Sequence, residues 1–330
     1  MLHCNEIAAV GTGQRPYAST GAILVRGVVA VLALVGATHA VGSAPLKTVA
    51  VAEGVYALLG SGGEITAERG ERIANIGFII GPRGVIVVDS GASYREGEEI
   101  IAAVQSVTNR PIRLVILTHP DQDAVFGAAA FQTRGIPVLA HRRTAELIAS
   151  RCETCLRNLK ALLGDDAMSA TRVVKPDRLI DGGETLQLIG RRVRLIAYRW
   201  SSAPGAIAVL DEKTSTLMAG SLVAIHRIPD VRDADLTGWR ESLTDIAAMR
   251  CRHLVPGYGP IGSCVDADAV RRYLTALERR VKTLLDEGVS LGELRERCGL
   301  PEFSRWDQYE MLHPENASRT YLRLERALFK

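Results

Sequence analysis

His119, Asp121 and Asp123 place one imidazole and two carboxylates at alternate positions of Thr118-His119-Pro120-Asp121-Gln122-Asp123-Ala124. Such donors can hold a divalent cation. A set dominated by oxygen suits Mn²⁺, Mg²⁺ or Ca²⁺ better than zinc, which usually takes about four ligands from Cys, His and carboxylate. The residues before them, 112–118, are largely apolar and β-branched and are bounded by Pro111 and His119-Pro120, which predicts a buried strand. Behind them, residues 125–131 are small and apolar, which predicts a helix. A strand-loop-helix turn aims several side chains at one point.

Later segments add to this set. After an apolar run at residues 193–197 comes Ser202-Ala203-Pro204-Gly205-Ala206, followed by Leu217-Met218-Ala219-Gly220-Ser221-Leu222-Val223 and Leu254-Val255-Pro256-Gly257-Tyr258-Gly259-Pro260. Upstream stand Gly54-Val55-Tyr56, then Ala74-Asn75-Ile76-Gly77-Phe78-Ile79-Ile80-Gly81, then Val87-Val88-Asp89-Ser90-Gly91. With these segments in this order, residues 49–260 resemble the metallo-β-lactamase superfamily. In that family the first loop reads Thr-His-x-His-x-Asp-His, and the later turns read His-Thr-Pro-Gly-Asp, Phe-Ala-Gly-Asp-Leu-Val and Val-Pro-Gly-His-Gly-Pro. The likeness carries His119 and Asp123 onto metal ligands. At the other ligand positions stand Asp121, Ala124, Ser202, Ser221 and Tyr258. Cys152-Glu153-Thr154-Cys155-Leu156, Gly238-Trp239 and Trp306-Asp307-Gln308-Tyr309, with His313 and Asn316, further resemble the quinoprotein relay system zinc metallohydrolases, a periplasmic branch.

The resemblance implies a four-layer αββα sandwich, an α/β (α+β) fold, with a C-terminal helical extension. It also implies chemistry in which zinc-bound hydroxide attacks a carbonyl or ester, the metal lowering the pKa of its water to about 7. Neutral hydroxyls at Ser202, Ser221 and Tyr258 are poor zinc ligands, so no tight dinuclear site is expected and no residue is assigned as catalytic. The expectation is a degenerate, non-catalytic member without a cofactor, with a binding or accessory role near quinoprotein-dependent periplasmic oxidation. The alternative is a metal-dependent hydrolase with one weakly held divalent metal at His119, Asp121 and Asp123. A third reading uses Ser, Tyr or Cys groups without metal, but a serine nucleophile needs a nearby base. The sequence places none beside Ser202 or Ser221. Ala124, Ser202, Ser221 and Tyr258 are expected to line the former metal cleft, Asp89 to brace its loop, and His119 to be satisfied by Asp121 or Asp123. His141 reads as a loop residue, while His226 and His253 lie near the site in sequence but off the ligand positions.

Composition bounds the remaining possibilities. Hydrophobic residues at 47% and charged residues at 23% are ordinary for a globular chain and exclude general disorder. A net charge of +3 with no basic cluster behind it excludes a nucleic-acid partner. The apolar residues 27–36 follow Arg15 and Arg26 and precede Thr38-His39-Ala40, the order of a secretory signal peptide over residues 1–40, cleaved after Ala40. That run is short of the roughly 20 apolar residues a membrane span needs. A periplasmic or secreted protein is expected, with no transmembrane span after cleavage and a small-molecule or periplasmic protein partner of unknown identity. In an oxidising compartment Cys152 and Cys155 are expected to form a structural disulfide. Cys251 and Cys264 flank the Tyr258 turn and could close it as a loop; their pairing, with that of Cys298, stays open.

The elements that must position these groups fall into two strand-then-helix halves. Short β-branched runs and turns alternate over residues 46–140 and again over 178–219, with helices predicted at 96–107 and 145–163. A metallo-β-lactamase-like domain is assigned to 46–265 and a packed helical extension to 266–330. In the extension Val270, Leu274, Leu277, Val281 and Leu284 form one apolar stripe, Ser290 with Glu293 forms a capping box, and a last helix is predicted from Pro314.

Overall fold

Apolar runs separated by turns form two sheets in a computed structural model of the chain, which describes residues 46–67, 70 and 72–328. The first sheet runs in chain order: β1 (Thr48–Ala52), β2 (Val55–Leu58), β3 (Ile76–Gly81), β4 (Gly84–Val88), β5 (Ile112–Leu117), β6 (Val138–His141) and β7 (Arg178–Ile180). Strands β1 to β4 pair antiparallel, and β4 to β7 pair parallel. The second sheet holds β8 (Glu184–Leu186), β9 (Val193–Ala197), β10 (Ile207–Asp211), β11 (Thr216–Ala224) and β12 (His253–Tyr258). Its strands pair antiparallel except for β11 with β12. The expected signal peptide, residues 1–40, lies outside the described residues. Among the described residues no helix is long and apolar enough to cross a membrane.

Alternation along each strand decides which layer a side chain enters. In β4, Val85 and Val87 face outward while Ile86 and Val88 face the second sheet; in β5, Val115 and Leu117 face outward while Leu114 and Ile116 face inward. The inward set meets Leu195, Ile207, Val209, Met218 and Val255 of the second sheet. Helices α1 (Tyr94–Val107), α2 (Gln122–Val125), α3 (Ala128–Thr133) and α4 (Arg142–Leu163) flank the first sheet. Helices α5 (Leu236–Ala248), α6 (Ala267–Asp286), α7 (Leu291–Arg297) and α8 (Tyr309–Ala327) gather on the second. Two sheets between helical layers give the αββα sandwich that the family resemblance implies.

The stripe predicted along α6 is fully buried and shares one core with Leu222 and Trp239, so the C-terminal helices complete the covering of the second sheet. The Ser290–Glu293 capping box is present. Helix α8 starts at Tyr309 rather than Pro314 and carries the proline inside it. Stacking of Tyr309 on His313, and the hydrogen bond from Asn316 to the Pro229 carbonyl, hold the helix despite the backbone donor that proline lacks.

Two local expectations need correction. The helix predicted over 125–131 is broken into α2 and α3 at Phe126-Gly127, where a Cβ on Gly127 would lie 1.8 Å from the Ser90 carbonyl oxygen. Close contact with the end of β4 takes precedence there over a continuous helix. The disulfide expected between Cys152 and Cys155 is absent: both are free thiols, as is Cys298, and the bonded pair is Cys251–Cys264. Cys152 and Cys155 sit well inside α4. Helix positions three apart keep their Cβ atoms about 5–6 Å apart, whereas a disulfide needs about 3.5–4.5 Å. The Cys251–Cys264 bond spans 13 residues and so closes the loop that carries β12 and Tyr258.

Candidate functional site

Thr118 continues the inward alternation of β5 and reaches the point where the two sheets open. Asp89, just past β4, adopts the left-handed backbone region at φ 65° and turns its carboxylate toward that point. Its Oδ1 accepts from the Thr118 amide at 2.8 Å, and the Thr118 hydroxyl donates to the same carboxylate at 2.8–2.9 Å. Asp89 therefore braces the loop, as the sequence suggests. Burial, opposed by His119 and Thr118, raises its pKa above the usual carboxylate range. Gly220 on β11 permits the approach from the other sheet, because a Cβ there would lie 2.2 Å from Thr118 Oγ1 and the residue has φ 49°.

The same network orients His119. Its Nδ1 lies 2.6 Å from Thr118 Oγ1, whose single proton is directed to Asp89. The inferred tautomer carries its proton on Nδ1 and leaves the lone pair on Nε2. That nitrogen is buried without a hydrogen-bond partner and lies 3.7 Å from Asp121 Oδ2. The expectation that Asp121 or Asp123 satisfies His119 is thus corrected: the loop directs Nε2 toward the acids but leaves it short of bonding distance. Donor atoms of His119, Asp121 and Asp123 all lie within 4.8 Å of one another.

The acids differ in their surroundings. Asp121 stands at the start of α2 without capping it, and 37% of its side chain meets solvent. Desolvation in the crowded cleft outweighs the pull of His119 and, with repulsion from Asp123, pushes its pKa up to about 6. Asp123 is buried, and its Oδ2 accepts a 2.7 Å bond from the Tyr258 hydroxyl. Burial, then the Asp123 carboxylate, holds the Tyr258 pKa well above the usual phenol value, so Tyr258 acts as a neutral donor. Arg227 lies over the Tyr258 ring, 4.6 Å from its centroid, and is fixed by Asp307 at 2.8 Å. On the opposite side Ser202 Oγ and Ser221 Oγ hydrogen-bond to each other at 2.9 Å.

Asp121, Asp123, Ser202, Ser221, Arg227 and Tyr258 line a cleft of about 370 Å³, together with Arg151, Cys152, Cys155 and Arg232. Ala124 is not among them. It is fully buried in the outer core of the first sheet, since α2 turns that face inward; its backbone serves the loop, the carbonyl accepting from Ser90 and the amide donating to the Asp121 carbonyl. His141 is not a loop residue either: it ends β6 and accepts from the Arg143 amide at 3.1 Å to cap α4. His226 is exposed, His253 pairs within the second sheet, and neither joins the acidic cluster. Sequence reasoning missed Arg151, Arg227 and Arg232, which carry no motif. It also gave no role to Asn75, whose amide donates to the carbonyls of Pro256 and Gly259 and clamps the Tyr258 turn; its place in Ala74-Asn75-Ile76 was the available signal.

A pair of zinc ions does not fit these residues. The Ser202–Ser221 and Tyr258–Asp123 bonds satisfy the second set of positions within the protein. One cation does fit, because His119 Nε2 is a buried lone pair with no partner and two carboxylates lie beside it.

Comparison with known proteins agrees with the architecture. The family profile of the Metallo-beta-lactamase superfamily matches residues 69–258, more than half of the chain. A linear primary-alkylsulfatase from a Pseudomonas species is 22% identical over 263 residues, covering 68% of this chain and 49% of the relative. The chain thus spans about half the length of that curated relative. Among solved structures, a double mutant of the sec-alkyl sulfatase PisA1 has a TM-score of 0.66 at 18% identity, covering 84% of this chain and 50% of the other. A metallo-beta-lactamase from Pontibacter korlensis has a TM-score of 0.57 at 18% identity, covering 70% of this chain and 99% of the other. With the family profile matching more than half of it and the fold shared, this chain belongs to the metallo-β-lactamase superfamily.

Proposed function

We propose that this protein binds a small molecule in the metallo-β-lactamase cleft without performing dinuclear zinc hydrolysis. The pairing of hydroxyls at former ligand positions carries the reading: Ser202 with Ser221 at 2.9 Å, and Tyr258 with Asp123 at 2.7 Å. Polar groups that satisfy one another lose hydrogen bonds if a cation displaces either partner. The cleft joins apolar Ile65, Ile73 and Leu312 to charged Arg151, Arg227 and Asp121, which suits an amphiphilic ligand. The likeness to a linear primary-alkylsulfatase supports that ligand class. Export, and an accessory role beside quinoprotein-dependent oxidation, belong to the same proposal, supported by the apolar N-terminal run and the Cys152–Leu156 and Trp306–Tyr309 motifs.

Zinc loading tests it. Protein exposed to excess zinc, desalted and analysed by inductively coupled plasma mass spectrometry is expected to retain well under one zinc per chain. Retention of two would overturn the reading.

One observation favours a second reading, a single divalent cation held by His119, Asp121 and Asp123. The buried Nε2 of His119 has no hydrogen-bond partner among the described residues. An oxygen-rich set of this kind suits a hard cation such as Mn²⁺. Here Mn²⁺ is expected to raise the melting temperature of the native protein and to leave that of His119→Ala unchanged. Equal shifts in both proteins would place the ion elsewhere.

A further inference from the structure

The arginines that line the cleft are already paired. Arg151 donates to both carboxylate oxygens of Asp233 at 2.7 and 2.8 Å, Arg232 to Asp230 at 2.7 Å, and Arg227 to Asp307 at 2.8 Å. Glu64, Asp121 and Asp123 line the same cleft, and among the described residues none of the three forms an ion pair with an arginine or lysine. Asp123 accepts instead from the neutral Tyr258 hydroxyl. The charge left over in the cleft is therefore negative, and it favours a cation.

A buried acceptor stands beside these acids. His119 is 1% exposed, and its Nε2, without a hydrogen-bond partner among the described residues, lies 3.7 Å from Asp121 Oδ2. With Asp123 the three side chains offer acceptor atoms within 4.8 Å of one another. Spacing separates the cations that such a set can hold. Tetrahedral or octahedral ligands at about 2.0–2.2 Å from a metal ion lie about 3.0–3.4 Å apart. A primary ammonium directs three N–H donors at tetrahedral angles, so acceptors at about 2.8–2.9 Å from its nitrogen lie about 4.6–4.7 Å apart. The separations here, 3.7 Å for one pair and within 4.8 Å for all, are wider than a metal ion sets and reach those of an ammonium. Asp121 is 37% exposed and does not cap α2, so its carboxylate is free to turn as the nitrogen seats against Nε2.

We propose that the cleft binds a primary ammonium ion on an apolar stem, its three N–H groups donating to Asp121, Asp123 and His119 Nε2. The proposal rests on the reading that the cleft takes a small molecule rather than a zinc pair, and it names the head group of that molecule. Asp123 Oδ2 keeps its bond from Tyr258, and the carboxylate has lone pairs to spare. Ile65, Ile73 and Leu312 supply the apolar wall for the stem. A sulfate or carboxylate head would face the unpaired acids and a buried lone pair, with every arginine of the cleft held by another carboxylate. A quaternary ammonium has the charge but no N–H to donate.

Full-length protein freed of metal with EDTA is titrated by isothermal calorimetry with n-hexylamine, hexyltrimethylammonium, 1-hexanol and hexyl sulfate. Hexylamine is expected to bind at least about tenfold more tightly than each of the others, the usual effect of hydrogen bonds to charged groups. Asp121→Asn, isosteric and at a partly open position, weakens hexylamine about tenfold, and His119→Ala does the same. Equal affinity for hexyltrimethylammonium would reduce the site to charge attraction and overturn the proposal, as would unchanged hexylamine affinity in Asp121→Asn or no hexylamine binding at all. Tighter binding of hexyl sulfate would remove the ammonium while leaving a small-molecule cleft in place; that broader reading fails separately, on retention of two zinc ions.

Discussion

Asp211→Ala is expected to destabilise the protein by about 3–5 kcal/mol, the usual result of removing one partner of a buried ion pair. Asp211 at the end of β10 is fully buried and pairs with Arg191 through two nitrogens, one of them at 2.5 Å. Arg191 also donates to the carbonyls of Glu53, at 2.9 Å, and Ile80, at 3.2 Å, so one guanidinium ties the first sheet to the second. Without the carboxylate a buried cation remains with carbonyl partners alone. Urea denaturation followed by circular dichroism reads the change, and a loss below about 1 kcal/mol would show that water replaces the pair.

The pH dependence arises from the same group. Burial pulls the Asp211 pKa upward, but Arg191 and Thr214 outweigh it, and the folded pKa lies below its ordinary value. A depressed carboxylate contributes stability fully above its unfolded pKa of about 3.9 and loses it as pH falls through the folded value. Native protein should therefore lose this contribution from about pH 4 downward. In Asp211→Ala that part of the acid sensitivity should be missing.

Trp239→Ala is expected to cost about 3–5 kcal/mol, as for other large aromatics removed from cores. Trp239 on α5 is 1% exposed, and its indole N–H donates to the Leu222 carbonyl at 2.9 Å. It stands where the second sheet meets α5 and α6, so truncation leaves both a cavity and an unpaired carbonyl. Limited proteolysis should then cut the segment from α6 to α8 earlier than in the native protein. Unchanged proteolysis together with a loss below about 1 kcal/mol would mean that the C-terminal layer does not depend on this contact.

Much of the fold was legible in local pattern. The apolar strand before His119, the stripe on α6 and the Ser290 capping box are set by neighbours a few residues away, and each appears in the structure as the sequence predicts. Where local pattern misled, a tertiary contact intervened. Ser90 meets Gly127 and breaks a helix; packing around Tyr309 and His313 starts α8 before its proline; and helix geometry keeps Cys152 and Cys155 apart.

The site divides in the same way. Residue types alone identified the His119, Asp121 and Asp123 cluster, and the resemblance marked Ser202, Ser221 and Tyr258 as positions to find beside it, because motif spacing survives in the linear chain. What those side chains contact was decided only by folding. Ser202 and Ser221 are 19 residues apart and Asp123 and Tyr258 are 135 apart, yet each pair closes a hydrogen bond. Tertiary structure likewise left His119 Nε2 without a partner, removed Ala124 from the cleft and brought two arginines beside Cys155. Hydrogen bonding and desolvation depend on distance in space, and spacing along the chain does not report that distance once two sheets have packed.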